Sequence, residues 1–190
     1  MDAEKLKEAI LYLSYLAEGR PNKLGKTRLY KILWFFEGIL YVKTGEKPLG
    51  LKFIKNKYGP VSEEIDKMLH ELKDSGLLNL YRNIDGNWII KTAFIPEIKK
   101  LSKQEIELLS SIYTKFSSMN AKAVSDLTHA SYWNKLPHGE EMNPIFVLEN
   151  FITVRKPTDE EMEEIRKMYE LYKKGDDSFI REIEKELEMC

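Results

Sequence analysis

The sequence predicts a mainly α fold with some β structure (α+β): a multi-helix domain carrying a small β-hairpin, winged-helix-like element, followed by a C-terminal helical extension. Three observations predict it. Apolar residues recur at helical spacing along most of the 190 residues. One stretch, residues 26–44, is apolar over most of a helical circumference, as in a helix at the centre of a core. Asp85-Gly86 lies between two strand-like runs, a hairpin signal.

The first helix is expected over residues 3–17. Leu6, Ile10, Leu13 and Leu16 or Ala17 form its buried stripe, and Glu4, Lys7 and Glu8 cover the other side. Gly19-Arg20-Pro21-Asn22 ends it. The central helix follows, with Leu29, Ile32, Leu33, Trp34, Phe35, Phe36, Ile39, Leu40 and Val42, and stops at Gly45. Residues 51–55 read as a short strand. Lys57-Tyr58-Gly59-Pro60 leads from it into a helix over 62–75, whose stripe is Ile65, Met68, Leu69 and Leu72. Residues 78–84 and 87–92 flank the Asp85-Gly86 turn, read as type I′ with positive φ at both central residues. Helix, helix, strand, helix, hairpin is the order of a winged helix.

Ser102-Lys103-Gln104-Glu105 has the form of a capping box and opens a helix with Ile106, Leu109, Ile112, Tyr113 and Phe116 inward. A further helix is expected from Asn120 to about His129. Pro137-His138-Gly139 and Asn143-Pro144 mark a polar loop. After Pro157 the chain is helical again but acidic and poor in apolar residues. The expected organisation is therefore a domain of residues 1–156 and an acidic helical extension of residues 157–190.

The near-zero net charge conceals polarity. Arg20, Lys23, Lys26, Arg28, Lys31, Lys43, Lys47, Lys52, Lys55 and Lys57 face only Glu37 and Glu46 in their segment. From Asp159 onward acids outnumber bases about two to one. The basic segment is either a solvated face or a site for nucleic acid or an acidic partner. The longest apolar stretch, residues 32–42, is interrupted by Glu37 and falls short of the ~20 residues needed to span a bilayer. The first residues mix acids with bases, unlike a secretion signal. A cytoplasmic protein without membrane contact is expected. Cys190 is the single cysteine, so no internal disulfide or cysteine metal cluster can form.

Residues able to carry catalysis are few. His70, His129 and His138 lie in no zinc-binding pattern, and Lys23-Leu24-Gly25-Lys26-Thr27 lacks the first glycine of a phosphate loop. Glu63-Glu64 and Glu160-Glu161 lie in first helical turns, where acids favour the positive end of the helix dipole. Neither an enzymatic activity nor a cofactor or metal is expected. Tyr58-Gly59-Pro60-Val61 is the most informative short stretch. It reads either as a tight strand-to-helix connection or as a partner-binding edge with Lys55 and Lys57. Thr128-His129 with Trp133 reads either as a packed structural pair or as a recognition site.

Several of these segments together resemble a known family. Leu29-Tyr30-Lys31-Ile32-Leu33-Trp34-Phe35-Phe36 through Tyr41 and then Thr44-Gly45-Glu46-Lys47-Pro48-Leu49 resemble the aromatic-rich helix and "TGKPL"-like exit of the SocA-like antitoxin, or Panacea, domain. Phe53 with Lys57-Tyr58-Gly59-Pro60-Val61 is similar to its "F.A..YGPV" stretch, and Leu127-Thr128-His129 with Trp133 to its "LTH…W" ending. The likeness covers residues 3–148, and the acidic tail lies outside it. It implies an antitoxin of toxin–antitoxin or phage-associated type, which binds and neutralises a cognate protein toxin stoichiometrically without a cofactor. The expected contact residues are Lys55, Lys57, Tyr58, Gly59, Pro60, Val61, Thr128, His129 and Trp133. The alternative is a winged-helix DNA-binding regulator using Arg20, Lys23, Lys26, Arg28 and Lys31. Its groove-entering helix, residues 62–75, would present Glu63, Glu64, Asp66, Glu71 and Asp74 against only Lys67 and Lys73, a poor match to phosphate.

Overall fold

The computed structural model describes residues 1–18, 24–92, 94–129 and 131–148. Arg20, Lys23, the stop at residues 19–22 and the expected helical extension of residues 157–190 lie outside the described residues.

Helix α1 (Ala3–Leu16) starts where the Asp2 carboxylate accepts the Lys5 N–H at 3.0 Å, and buries Leu6, Ala9, Ile10 and Leu13. Helix α2 (Lys26–Thr44) has the expected bounds and lies at the centre of the core, packed against residues 59–61, 88–92, 103–117, 121–126 and 144–146. Trp34 meets Phe53 and Phe35 meets Phe116, each edge to face with centroids 5.2 Å apart.

Strands β1 (Phe53–Asn56) and β2 (Gly59–Val61) form an antiparallel hairpin in which Lys55 opposes Pro60 and Asn56 opposes Gly59. Helix α3 (Glu63–Asp74) then buries Ile65, Met68, Leu69 and Leu72. Strands β3 (Leu78–Arg82) and β4 (Trp88–Thr92) form a separate two-stranded sheet packed on α3 and α1. Helix α4 (Lys103–Ser117) begins with the anticipated capping box: Ser102 N–H donates to Glu105 Oε2 at 2.7 Å, and Glu105 N–H to Ser102 Oγ at 3.3 Å. Two short helices, α5 (Ala121–Asp126) and α6 (Ser131–Lys135), precede β5 (Glu141–Met142) and a 3-10 turn at Pro144–Phe146. The fold is thus mainly α with two small antiparallel sheets, as the helical periods and the hairpin signal predict. No described helix is long and apolar enough to cross a membrane.

Four local expectations are corrected. Glu8 does not cover a solvated face. It is buried, and its carboxylate accepts the N–H groups of Lys99, Lys100 and Leu101 at 2.8–3.0 Å, tying α1 to the segment before α4. Burial alone would raise its pKa, but the three N–H donors outweigh burial and hold it below the ordinary value. The Asp85-Gly86 turn is not type I′. Gly86 has φ +77° but Asp85 does not share a positive φ, which among the described residues only glycines adopt, and the reversal is a longer loop closed by Gly86 N–H to Asn83 O at 2.9 Å. Gly59-Pro60-Val61 is an edge strand, not a plain connection into the next helix, and Pro60 is tolerated because its nitrogen faces no ladder bond. The supposed loop at residues 137–143 contains β5, which closes the order β2-β1-β5. This pairing joins residues nearly ninety positions apart, and nothing local announces it.

Candidate functional site

The hairpin β1–β2 turns through Lys57 and Tyr58. Both keep negative φ, and Gly59 completes the reversal at φ +100°, where a side chain is disfavoured. Space forbids one as well: a Cβ there would fall 2.5 Å from Lys31 Nζ and still closer to Thr128 Oγ1. The turn is bound from below by three side chains. Lys31 Nζ donates to Pro60 O at 3.2 Å, and Ser125 Oγ to Tyr58 O at 2.8 Å. Lys55 Nζ donates to the carbonyls of Trp133 and Leu136, the latter at 2.6 Å, capping the end of α6. Tyr58 itself projects outward with 62% of its surface exposed, and Lys57 Nζ stands 5.4 Å from its ring centre.

Thr128, His129 and Trp133 lie beside this turn. Thr128 is fully buried and donates to Ser125 O at 2.7 Å. The rings of His129 and Trp133 stack with centroids 3.9 Å apart at 24°, and Lys55 Nζ lies 4.1 Å from the Trp133 ring centre. Burial depresses the His129 pKa and Lys31 adds to the effect; Asp126 opposes it, and Lys55 adds a smaller lowering. The imidazole is therefore neutral at pH 7. The two motifs singled out in the sequence, some seventy residues apart, pack against each other in the fold.

Of the bases of the nucleic-acid alternative, Lys26, Arg28 and Lys31 are described, and each is engaged within the fold. Lys26 pairs with Asp66 at 2.7 Å, an acid that also accepts a hydrogen bond from the buried Tyr30 hydroxyl and so ties α2 to α3. Arg28 is buried and donates to Met119 O at 2.9 Å. Lys31 retains only 1% exposure, and burial pushes its pKa down to about 7. On α2, the helix apolar nearly all round, residues that read as a basic surface are turned inward by packing on every side.

Two residues of the site were not among the expected partner-contact residues. Ser125 holds the Tyr58 carbonyl, and Lys31 holds the turn, although its sequence context suggested a different role. A signal for Lys31 did exist: it lies in the middle of the run Leu29 to Phe36, where an inward lysine must find a partner within the protein. Ser125 carries no such signal. Among the described residues there is no group of three or more His, Cys, Asp or Glu side chains placed to hold a metal ion.

Comparison with known proteins bears on the same segment. A search of curated proteins and a search of solved structures each returned no match. The family model described as antitoxin SocA-like, Panacea domain, matches residues 29–134, more than half of the chain. The matched stretch opens in α2 just ahead of Lys31, contains the whole Tyr58 turn, and closes one residue after Trp133. Since the match takes in each side chain that holds or borders the turn, apart from the closing contact at Leu136, the chain belongs to the SocA-like antitoxin, Panacea domain, family.

Proposed function

We propose that this protein acts as an antitoxin that binds a cognate protein toxin stoichiometrically and so neutralises it. The contact surface is the exposed Lys57 and Tyr58 on the edge that runs from Lys55 to Val61, with the buried Gly59, Pro60 and Thr128 supporting it and the partly buried His129 and Trp133 beside it. The observation that carries the reading is Tyr58, a largely exposed aromatic ring on a turn held by bonds from α2, α5 and β1, inside the segment matched by the family model. An exposed ring on a preorganised backbone loses little conformational freedom on binding, and tyrosine is a frequent anchor of protein interfaces. Lys57 beside it favours a partner surface carrying acids. Residues 1–156 would contain this binding unit, with residues 157–190 as an acidic extension.

The DNA-binding reading has less support. Lys26 is neutralised by Asp66, Arg28 and Lys31 are buried, and the exposed positions of α3 include Glu63, Glu71 and Asp74.

The test is co-purification of the tagged full chain from its native host, with and without nuclease. The expected result is one stoichiometric protein, the product of the neighbouring gene, that survives nuclease and is lost with Tyr58→Ala or Lys57→Glu. Folding of these variants should change by no more than about 0.5 kcal/mol, since both side chains are exposed. Recovery of nuclease-sensitive nucleic acid alone, or full partner retention by both variants, would overturn the proposal.

A further inference from the structure

Lys31 lies behind β2 as a buried base without an acid. It retains 1% exposure, and its Nζ has one acceptor, Pro60 O at 3.2 Å. No carboxylate pairs with it among the described residues. The charged groups around it are mostly bases. His129, in the segment joining α5 to α6, feels its charge, and Lys55 on β1 acts on the same imidazole. Asp126, at the end of α5, acts on His129 from an exposed position. On α2 itself, Arg28 precedes Lys31 by about one turn and donates to Met119 O, and β2 contributes no charged group.

The backbone shows what holds β2 over this lysine. Lys55 N–H donates to Glu140 O and Lys55 O accepts from Gly139 N–H, so the Lys55 backbone faces away from β2. Pro60, opposite it, has no N–H, and its carbonyl is turned outward to Lys31. The bonds between β1 and β2 therefore fall on the pairs Asn56–Gly59 and Ile54–Val61. The three-residue strand is held by one such pair at each end and by Lys31 in its middle, while Ser125 holds the turn at Tyr58 O. It lies directly on the amine: a Cβ at Gly59 would come 2.5 Å from Lys31 Nζ and 2.8 Å from its Cε. Lifting this short strand, at the cost of two ladder pairs, brings water to Nζ without moving α2.

We propose that the Tyr58 turn is a proton-responsive latch, in which protonation of Lys31 favours release of β2 from α2 and loss of the proton closes it. A buried ammonium without an acid is costly, and one hydrogen bond to a neutral carbonyl offsets only part of that cost. The closed turn therefore disfavours the charged form, whereas an open turn gives it water. The window follows from the two states: burial puts the closed-state pKa at about 7, and the ordinary value of 10.5 applies once the amine is hydrated. Between these values the open state holds more protons, so opening becomes more frequent as pH falls and levels off below pH 7, where both states are charged. The effect on partner capture rests on the binding reading above; the latch itself does not.

The test is amide hydrogen exchange of the full chain, read by nitrogen-15 NMR at pH 6, 7 and 8, with each rate divided by the intrinsic rate at that pH. The Gly59 and Val61 amides are expected to open more often than the slowest amides of the protein. Their protection should rise about twofold from pH 6 to pH 7 and about fivefold from pH 7 to pH 8. In Lys31→Met that protection should be the same at all three pH values. His129→Gln, which removes the neighbouring titrating ring, should leave the wild-type dependence in place. A carbon-13 titration of Lys31 Cε in the wild-type chain reads the proton directly, without any variant, and a midpoint near 7 is expected. An ordinary midpoint overturns the latch. So do Gly59 and Val61 amides that exchange only with the slowest ones, or a pH dependence that survives in Lys31→Met. Partner capture should be weaker at pH 6 than at pH 8 with the wild type and equal with Lys31→Met. Equal capture by the wild type, with exchange as expected, would remove the Tyr58 turn from the interface, a failure of the binding reading and not of the latch.

Discussion

Replacing Lys31 by methionine should change how stability depends on pH, and the size of the change follows from burial. The lysine pKa is 10.5 in its ordinary setting and about 7 in the folded protein, because burial penalises the ammonium form. Between these values the unfolded chain binds more protons than the folded one, so the stability of the wild-type protein rises with pH through this window. Below pH 7 both states carry the proton, and the full cost of burying the charge is present. The limiting slope is about 1.4 kcal/mol per pH unit, which gives the wild type about 2 kcal/mol of added stability from this residue between pH 7 and pH 9. Lys31→Met retains the buried aliphatic volume, loses the bond to Pro60 O, and lacks that pH dependence. Urea unfolding of both proteins at pH 7, 8 and 9 isolates the effect, since the other titrating groups are common to both and His129 is already neutral there. The variant should be the more stable at pH 7, and the difference should shrink as pH rises. Parallel curves for the two proteins would refute the reasoning and show that Lys31 keeps an ordinary pKa in the fold.

Three further outcomes are expected. Gly59→Ala forces a Cβ against Lys31 and Thr128 at positive φ, so unfolding midpoints should fall by an amount equivalent to about 2–4 kcal/mol, and partner binding should weaken even where the protein remains folded. Glu37→Ala removes the fully buried carboxylate that accepts the N–H groups of Leu49 and Leu51 at 2.9 and 2.8 Å, which should cost about 3 kcal/mol or more, with those two amides losing hydrogen-exchange protection first. Burial raises the Glu37 pKa despite these bonds. Ser102→Ala breaks one arm of the capping box and should cost about 1 kcal/mol in thermal unfolding, with loss of helix signal confined to the start of α4.

Much of the fold was legible because its signals are local. The bounds of α2 follow from a run of apolar residues closed by Gly45. The α4 start follows from two side chains three positions apart, and α3 follows from a stripe of four apolar residues. The Tyr58 turn and the Thr128-His129-Trp133 segment also stood out as unusual combinations of glycine, proline and aromatic residues. Their meeting was not legible, since it depends on α5 and α6 folding back over α2 to reach a hairpin far away in sequence.

By itself, then, the sequence determined helices α1 to α4, the β3–β4 hairpin and the family, because periodicity, caps and short motifs act over a few residues. Tertiary structure alone decided which charges face inward. Glu8 gives no sign of its fate, and Lys31 and Glu37 stand in an apolar run that does not say which groups they will bind; each is buried because the backbone groups it binds come from a distant segment or the far side of a loop. A charge belongs to the surface or the core according to what packs above it, and that information is spread over the whole chain.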